Sequence, residues 1–217
     1  MASCFKNIIL DIDGTIWNTT GVVANAWNRA VREGNVPELK DLHITAEMLQ
    51  KEFGKPMDVI ADDLFGDIDP KVKADLLAKC CVYEHDEIAG CEDDLTYDNV
   101  IEVLIDLSKD HNLYIVSNCQ DGYVELVIEK NKLGKYIKDF ECFGHTGLQK
   151  DENILLLMKR NGIGMDEACY VGDTMGDYTA TKKAGIPFVL AEYGFGEVET
   201  PDYIIKAPAD LIKLSRE

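Results

Sequence analysis

The chain of 217 residues carries 22 basic and 40 acidic side chains, a formal charge of −18. Its length suits one large domain, or one domain with a sizeable insertion, and 46% hydrophobic with 29% charged residues excludes a chain that is disordered throughout, collagen-like or of low complexity. This acidity, with Lys and Arg scattered, offers no footprint for nucleic acid and is repelled by an acidic membrane surface.

The short apolar run Asn7–Leu10 ends at Asp11 and reads as a buried strand. Val22, Val23, Ala26, Trp27 and Ala30 then recur at helical spacing across Gly21–Arg32, with Trp27 read as core. Ile44–Leu49 and Pro56–Leu64 are further short helices, and Pro70 opens another that continues through Tyr83. From about residue 16 to residue 87 there is almost no strand signal. Strand and helix then alternate: helix at Tyr97–Lys109, strand at Leu113–Val116, helix at Gly122–Lys130, a weak strand at Asp139–Phe143, helix at Asp151–Asn161. Ala168–Val171, Pro187–Leu190 and Tyr203–Ile205 are predicted strands, with helices at Tyr178–Ala184 and Ala209–Leu214. Alternation of this kind implies parallel strands joined by crossover helices, hence a doubly wound α/β sheet. The organisation expected is a core of residues 1–15 and 88–217, with a helical insertion at 16–87.

No stretch nears eighteen apolar residues, so no spanning helix is predicted, and the N-terminal run lacks the features of a signal peptide. The seven cysteines (4, 80, 81, 91, 119, 142 and 169) show no metal-ligand spacing and are expected to be buried, reduced thiols of a cytoplasmic protein. The four histidines are isolated and are left out of the chemistry.

Ligands of open α/β sheets sit beyond the C-terminal ends of the strands. Asp11-Ile12-Asp13-Gly14-Thr15 follows the first strand, Ser117-Asn118 a later one, and Gly172-Asp173-Thr174-Met175-Gly176-Asp177 another, with Lys150 at a helix start between them. Asp11 and Asp13 share a face in extended geometry, so one can attack phosphorus while the other handles protons. Asp173 and Asp177, four apart, share a turn. Four carboxylates at one sheet edge repel one another unless a cation offsets them, and oxygen ligands favour Mg²⁺. Lys150 adds a second positive charge, and Ser117 with the N–H groups around Gly14 and Asn118 can hold phosphate oxygens.

Asp-x-Asp-Gly-Thr, Ser-Asn, a Lys and Gly-Asp-Thr-x-x-Asp, in this order, resemble the four motifs of the haloacid dehalogenase (HAD) superfamily over nearly the whole chain. The helical insertion resembles the small α-helical cap of the branch containing phosphoglycolate phosphatase and β-phosphoglucomutase. The resemblance implies a Rossmann-like core and a Mg²⁺-dependent phosphatase acting on a small phosphorylated metabolite, as a monomer or small homo-oligomer. It makes Asp11 the nucleophile and Asp13 the general acid/base. Asp11, the main-chain carbonyl of Asp13 and Asp173 would ligate the ion, with Asp177 supporting it directly or through water. Ser117 would bind phosphate and Lys150 would orient Asp11. Close relatives often read Lys-Pro-x-Pro in the third motif, whereas Lys150 is followed here by Asp-Glu-Asn. In the cap, Gly54-Lys55-Pro56 resembles a basic position that contacts substrate in capped enzymes, and Trp17 and Asn18 lie at the hinge into it, where they can line the pocket.

An EF-hand reading of Asp11–Val22 fails, because Gly14 falls at loop position four and Val22 at position twelve. A sugar phosphomutase and a non-catalytic phospho-acceptor switch remain the rival functions. Taken singly, Asp173 and Asp177 could be helix caps, and Lys150 or Lys55 a solvated lysine.

Overall fold

Ile8, Ile9 and Leu10 follow one another without a polar break, so a strand made of them must be covered on both faces. The computed structural model, which describes residues 5–216, gives them that position: Asn7–Leu10 (β1) is a central strand in which these three residues are buried. From β1 the chain enters α1 (Thr20–Gly34), a 3₁₀ turn at Pro37–Leu39, α2 (Ala46–Glu52), α3 (Met57–Phe65) and α4 (Pro70–Gly90). It then alternates through α5 (Val100–Leu107), β2 (Asn112–Ser117), α6 (Tyr123–Lys130), β3 (Ile137–Cys142), α7 (Phe143–Thr146) and α8 (Lys150–Asn161). β4 (Ala168–Gly172), α9 (Met175–Ala184), β5 (Phe188–Ala191), β6 (Tyr203–Ile205) and α10 (Asp210–Arg216) complete it.

All six strands are parallel, in the order β3-β2-β1-β4-β5-β6. This is the doubly wound sheet expected from the alternation, and its strand order reverses between β1 and β4. Ile9, Tyr114, Val116, Tyr170 and Phe188 form one apolar cluster with Ile154, Leu157 and Met158 of α8 and Ala180 and Ala184 of α9. Residues of the opposite phase, among them Ile8, Leu10, Leu113, Ile115, Cys169 and Val171, are equally buried, so both faces are covered.

The chain divides into two compact units, one formed by the chain up to Asn18 and from Leu95 onward, the other by Thr19–Asp94. Residues 16–18 belong with the first because Asn18 N–H donates to Leu95 O at 2.8 Å and Tyr97 N–H to Ile16 O at 3.1 Å. That contact also holds Tyr97 out of α5, which starts only after Asn99, at φ 59°. In the second unit α1 packs along α4. Trp27 is fully buried, lies against Phe65 with ring centroids 6.0 Å apart, and donates to Glu84 Oε2 at 2.7 Å. The Asp69 carboxylate caps α4 by accepting from the N–H groups of Lys71 and Val72, and Pro70 sits at its first turn. The 3₁₀ turn and α7 were not predicted, because one turn is too short to show a period.

The weak pattern of β3 has a cause on α8. Asp139 and Glu141 interrupt the apolar run, yet Arg160 meets both, Nε to Asp139 Oδ2 and Nη1 to Glu141 Oε2, each at 2.8 Å. Glu141 is 1% exposed, so this ion pair is closed to solvent at one end. Cys80, Cys119, Cys142 and Cys169 are buried and reduced, as expected, while Cys81 and Cys91 are half-buried; Cys4 lies outside the described residues. No helix is long and apolar enough to cross a membrane among the described residues. Arg160→Met should lower stability by about 1–3 kcal/mol, since it strips a buried carboxylate of one partner. A urea midpoint equal to that of the unaltered protein would show the clamp to be idle.

Candidate active site

At the strand-order reversal the ends of β1 and β4 lie side by side, Leu10 in register with Val171. Asp11 continues that pairing, its N–H donating to Val171 O at 2.9 Å, and Asp173 follows Gly172 at the end of β4. Asp11, Asp173 and Asp177 are buried, and one carboxylate oxygen from each lies within 4.8 Å of those from the other two. Lys150, at the first position of α8 and 3% exposed, faces them: its Nζ is 3.2 Å from Asp11 Oδ1 and 2.5 Å from Asp177 Oδ1. Two of the three buried acids thus pair with one ammonium, whose charge also acts on the third.

The electrostatic consequence is strong. Burial, then the charge of Asp177, pushes Asp11 from the ordinary 3.8 up to about 6. Burial, then Asp177 and Asp11, pushes Asp173 to about 8. Burial alone would lower Lys150, but Asp11 and Asp177 overcome it and hold the ammonium charged. Asp173 Oδ2 accepts from Phe195 N–H at 2.7 Å, whereas its buried Oδ1 has no hydrogen-bond partner.

Asp177 has two jobs. Its Oδ2 accepts from the Thr174 N–H at 3.0 Å and hydroxyl at 2.7 Å, while Thr174 Oγ1 accepts from Asp177 N–H, forming the capping box of α9. The helix-cap reading of this acid is therefore correct, and it coexists with membership of the cluster.

The loop after β1 turns tightly. Ile12 O accepts from the N–H groups of Thr15 and Ile16, and Gly14, at φ 82°, donates to Trp17 O at 2.9 Å. A Cβ on Gly14 would lie 2.0 Å from Asp173 Oδ2, and one on Gly194 would lie 2.3 Å from Asp173 Cβ. Two glycines thus let the backbone close on Asp173 from two sides. Gly194 and Phe195 were missed in the sequence; their signal was a Gly-x-Gly pair shortly after a predicted strand. Tyr193 ties this loop to the first, its hydroxyl donating to Thr15 O at 3.0 Å.

Asp13 stands apart from the three clustered carboxylates. Its Oδ1 accepts from Trp17 Nε1 at 3.0 Å and from the Tyr123 hydroxyl at 2.9 Å. Ser117 and Asn118, at the end of β2, are buried at the same sheet edge, and Asn18 is half-buried. Lys55 belongs to the helical unit, where it pairs with Glu52 at 2.6 Å and Asp63 at 2.8 Å. Among the histidines, His111 Nδ1 meets Phe5 O and His145 Nδ1 meets Glu141, both at 2.7 Å, and neither belongs to the acid cluster.

The family model of the haloacid dehalogenase-like hydrolases matches residues 8–191. The chain belongs to that family of hydrolytic enzymes. A phosphoglycolate phosphatase of Pseudomonas fluorescens is 27% identical over 220 residues, covering 95% of this chain and 77% of the relative. One from Vibrio parahaemolyticus is 25% identical over 223 residues, covering 96% and 95%. Among solved structures, the haloacid dehalogenase-like protein SP0104 of Streptococcus pneumoniae superposes with a TM-score of 0.82 at 19% identity, covering 98% of this chain and 99% of that one.

An acid whose pKa rises on folding favours the folded state while protonated. In chelator, the stability contributed by Asp11 and Asp173 should be full below about pH 4 and decline as pH rises through about 6 and then about 8. Urea midpoints measured across that range would contradict this if they stayed flat or rose. Gly194→Ala should cost about 1–3 kcal/mol by overpacking against Asp173, checked by the same titration.

Proposed function

We propose that this hydrolase is a Mg²⁺-dependent phosphatase that cleaves a small phosphate monoester through a phosphorylated Asp11. The observation that carries the reading is the set of three buried carboxylates of which two pair with a single lysine. Such a set is costly unless a hard cation completes it, and the partnerless Asp173 Oδ1 is an oxygen suited to that cation. Asp11 and Asp173 would hold the ion, together with the Asp13 carbonyl. Asp177 has both oxygens engaged by Lys150 and the α9 cap, so it supports the site by anchoring the lysine. The ion, when bound, supplies positive charge that draws a phosphate dianion to a chain of charge −18.

The residues then divide the work. Asp11, kept in place by Lys150, attacks phosphorus in line, and the bond to the ester oxygen breaks as Asp13 gives that oxygen a proton. Ser117 and the N–H groups near Gly14 and Asn118 hold the non-reacting phosphate oxygens. Water then attacks the aspartyl-phosphate while Asp13 takes its proton, releasing Asp11 and inorganic phosphate. The helical unit Thr19–Asp94 acts as a cap in this reading and selects the ester, with Lys55 and Asn18 as candidate contacts. The relatives' names make phosphoglycolate the first substrate to try.

Asp11→Asn should lower kcat on any accepted ester by at least about 10³-fold. Retained turnover with p-nitrophenyl phosphate would refute the nucleophile. Calorimetry should detect Mg²⁺ binding, weakened more than about tenfold by Asp173→Asn. Absence of uptake by the unaltered protein would remove the cation from the mechanism.

A further inference from the structure

The proton-transfer residue of the proposed reaction, Asp13, is gripped by two aromatic side chains that belong to none of the four motifs. A carboxylate turns easily about its last torsion, which has a broad, two-fold profile, so its two oxygens are equivalent unless something distinguishes them. Here Oδ1 accepts from both Trp17 Nε1, at 3.0 Å, and the Tyr123 hydroxyl, at 2.9 Å.

Both donors are themselves fixed. Trp17 is fully buried and Tyr123 is 2% exposed, and the rings meet edge to face with centroids 5.7 Å apart. Trp17 is pinned through its backbone, its carbonyl accepting from Gly14 N–H and its strand-like bridges reaching Asp13 and Thr96. Tyr123 opens α6 just after Gly122, at φ 84°, six residues beyond Ser117. The helix that follows the phosphate-binding Ser-Asn segment therefore also carries a donor to the acid/base.

We infer that Tyr123 and Trp17 are positioning residues for Asp13: by donating together to Oδ1 they fix the carboxyl's rotation and so aim it for proton transfer. In the first half-reaction the Asp13 proton passes to the ester oxygen as its bond to phosphorus breaks. In the second, the Asp13 carboxylate takes a proton from water as the water oxygen bonds to phosphorus and Asp11 departs. The inference rests on the reading of Asp13 as acid/base given above.

The test is the dependence of kcat/KM on the leaving group, because only poor leaving groups need the proton. With Mg²⁺ present, kcat/KM is measured for esters ranging from p-nitrophenyl phosphate to phosphates of primary alcohols. Tyr123→Phe removes one oxygen and should lower kcat/KM about tenfold or more on alkyl esters, with a distinctly smaller loss on p-nitrophenyl phosphate. Trp17→Phe should steepen the dependence in the same sense. The two variants are independent, so a folding failure of one, seen in its thermal melt, leaves the other to decide. Asp13→Asn is the reference and should show the steepest dependence. Should Asp13→Asn steepen it while the aromatic variants lower every ester by one common factor, or by none, the positioning role is overturned and the acid/base reading stands. If Asp13→Asn itself lowers all esters equally, both ideas fall.

Discussion

The repulsion among Asp11, Asp173 and Asp177, relieved in part by Lys150, is the constraint around which the core unit is organised. The charged groups come from three separate stretches of the chain, and each sits at the end or start of a secondary element. Asp11 directly follows β1, Asp173 directly follows β4, the first turn of α9 supplies Asp177, and the first turn of α8 supplies the lysine. The parallel sheet makes this convergence possible, because neighbouring strands all end on the same side. Burial then makes the convergence chemically useful, since charges removed from water interact several times more strongly than they would at a surface.

Much of this was readable in the residues. Strand ends marked by Asp-x-Asp, Ser-Asn and Gly-Asp declare themselves because acids and hydroxyls halt apolar runs abruptly, and the 3.6-residue period places the helices between them. Asp11, Asp173, Asp177 and Lys150 accordingly meet where the topology said that they would. Less legible were features set by distance rather than pattern. Phe195 donates through its backbone, which leaves no trace in side-chain chemistry. Tyr123 looks like any aromatic at a helix start, and its role depends on a hydroxyl reaching Asp13 across 110 positions of chain. β3 read weakly because its two acids are matched by Arg160, a partner that a local window does not contain.

Asp177 shows how one side chain can answer both readings of a motif. As the fourth residue of a capping box it stabilises the start of α9, and through its other oxygen it holds the lysine beside Asp11. Local helix chemistry and site electrostatics are thereby joined in a single carboxylate, which explains why it is completely enclosed when the first turn of a helix is usually open to water.

The close fit of Gly14 and Gly194 around Asp173 bears on how such an enzyme can change. The loops after β1 and β5 have no spare volume beside that acid, and Tyr193 binds them to each other, so neither can be lengthened or exchanged alone without disturbing the other. Novelty has to enter elsewhere. The helical insertion carries its own tryptophan-centred core and can be remodelled while the charged heart of the molecule is inherited intact.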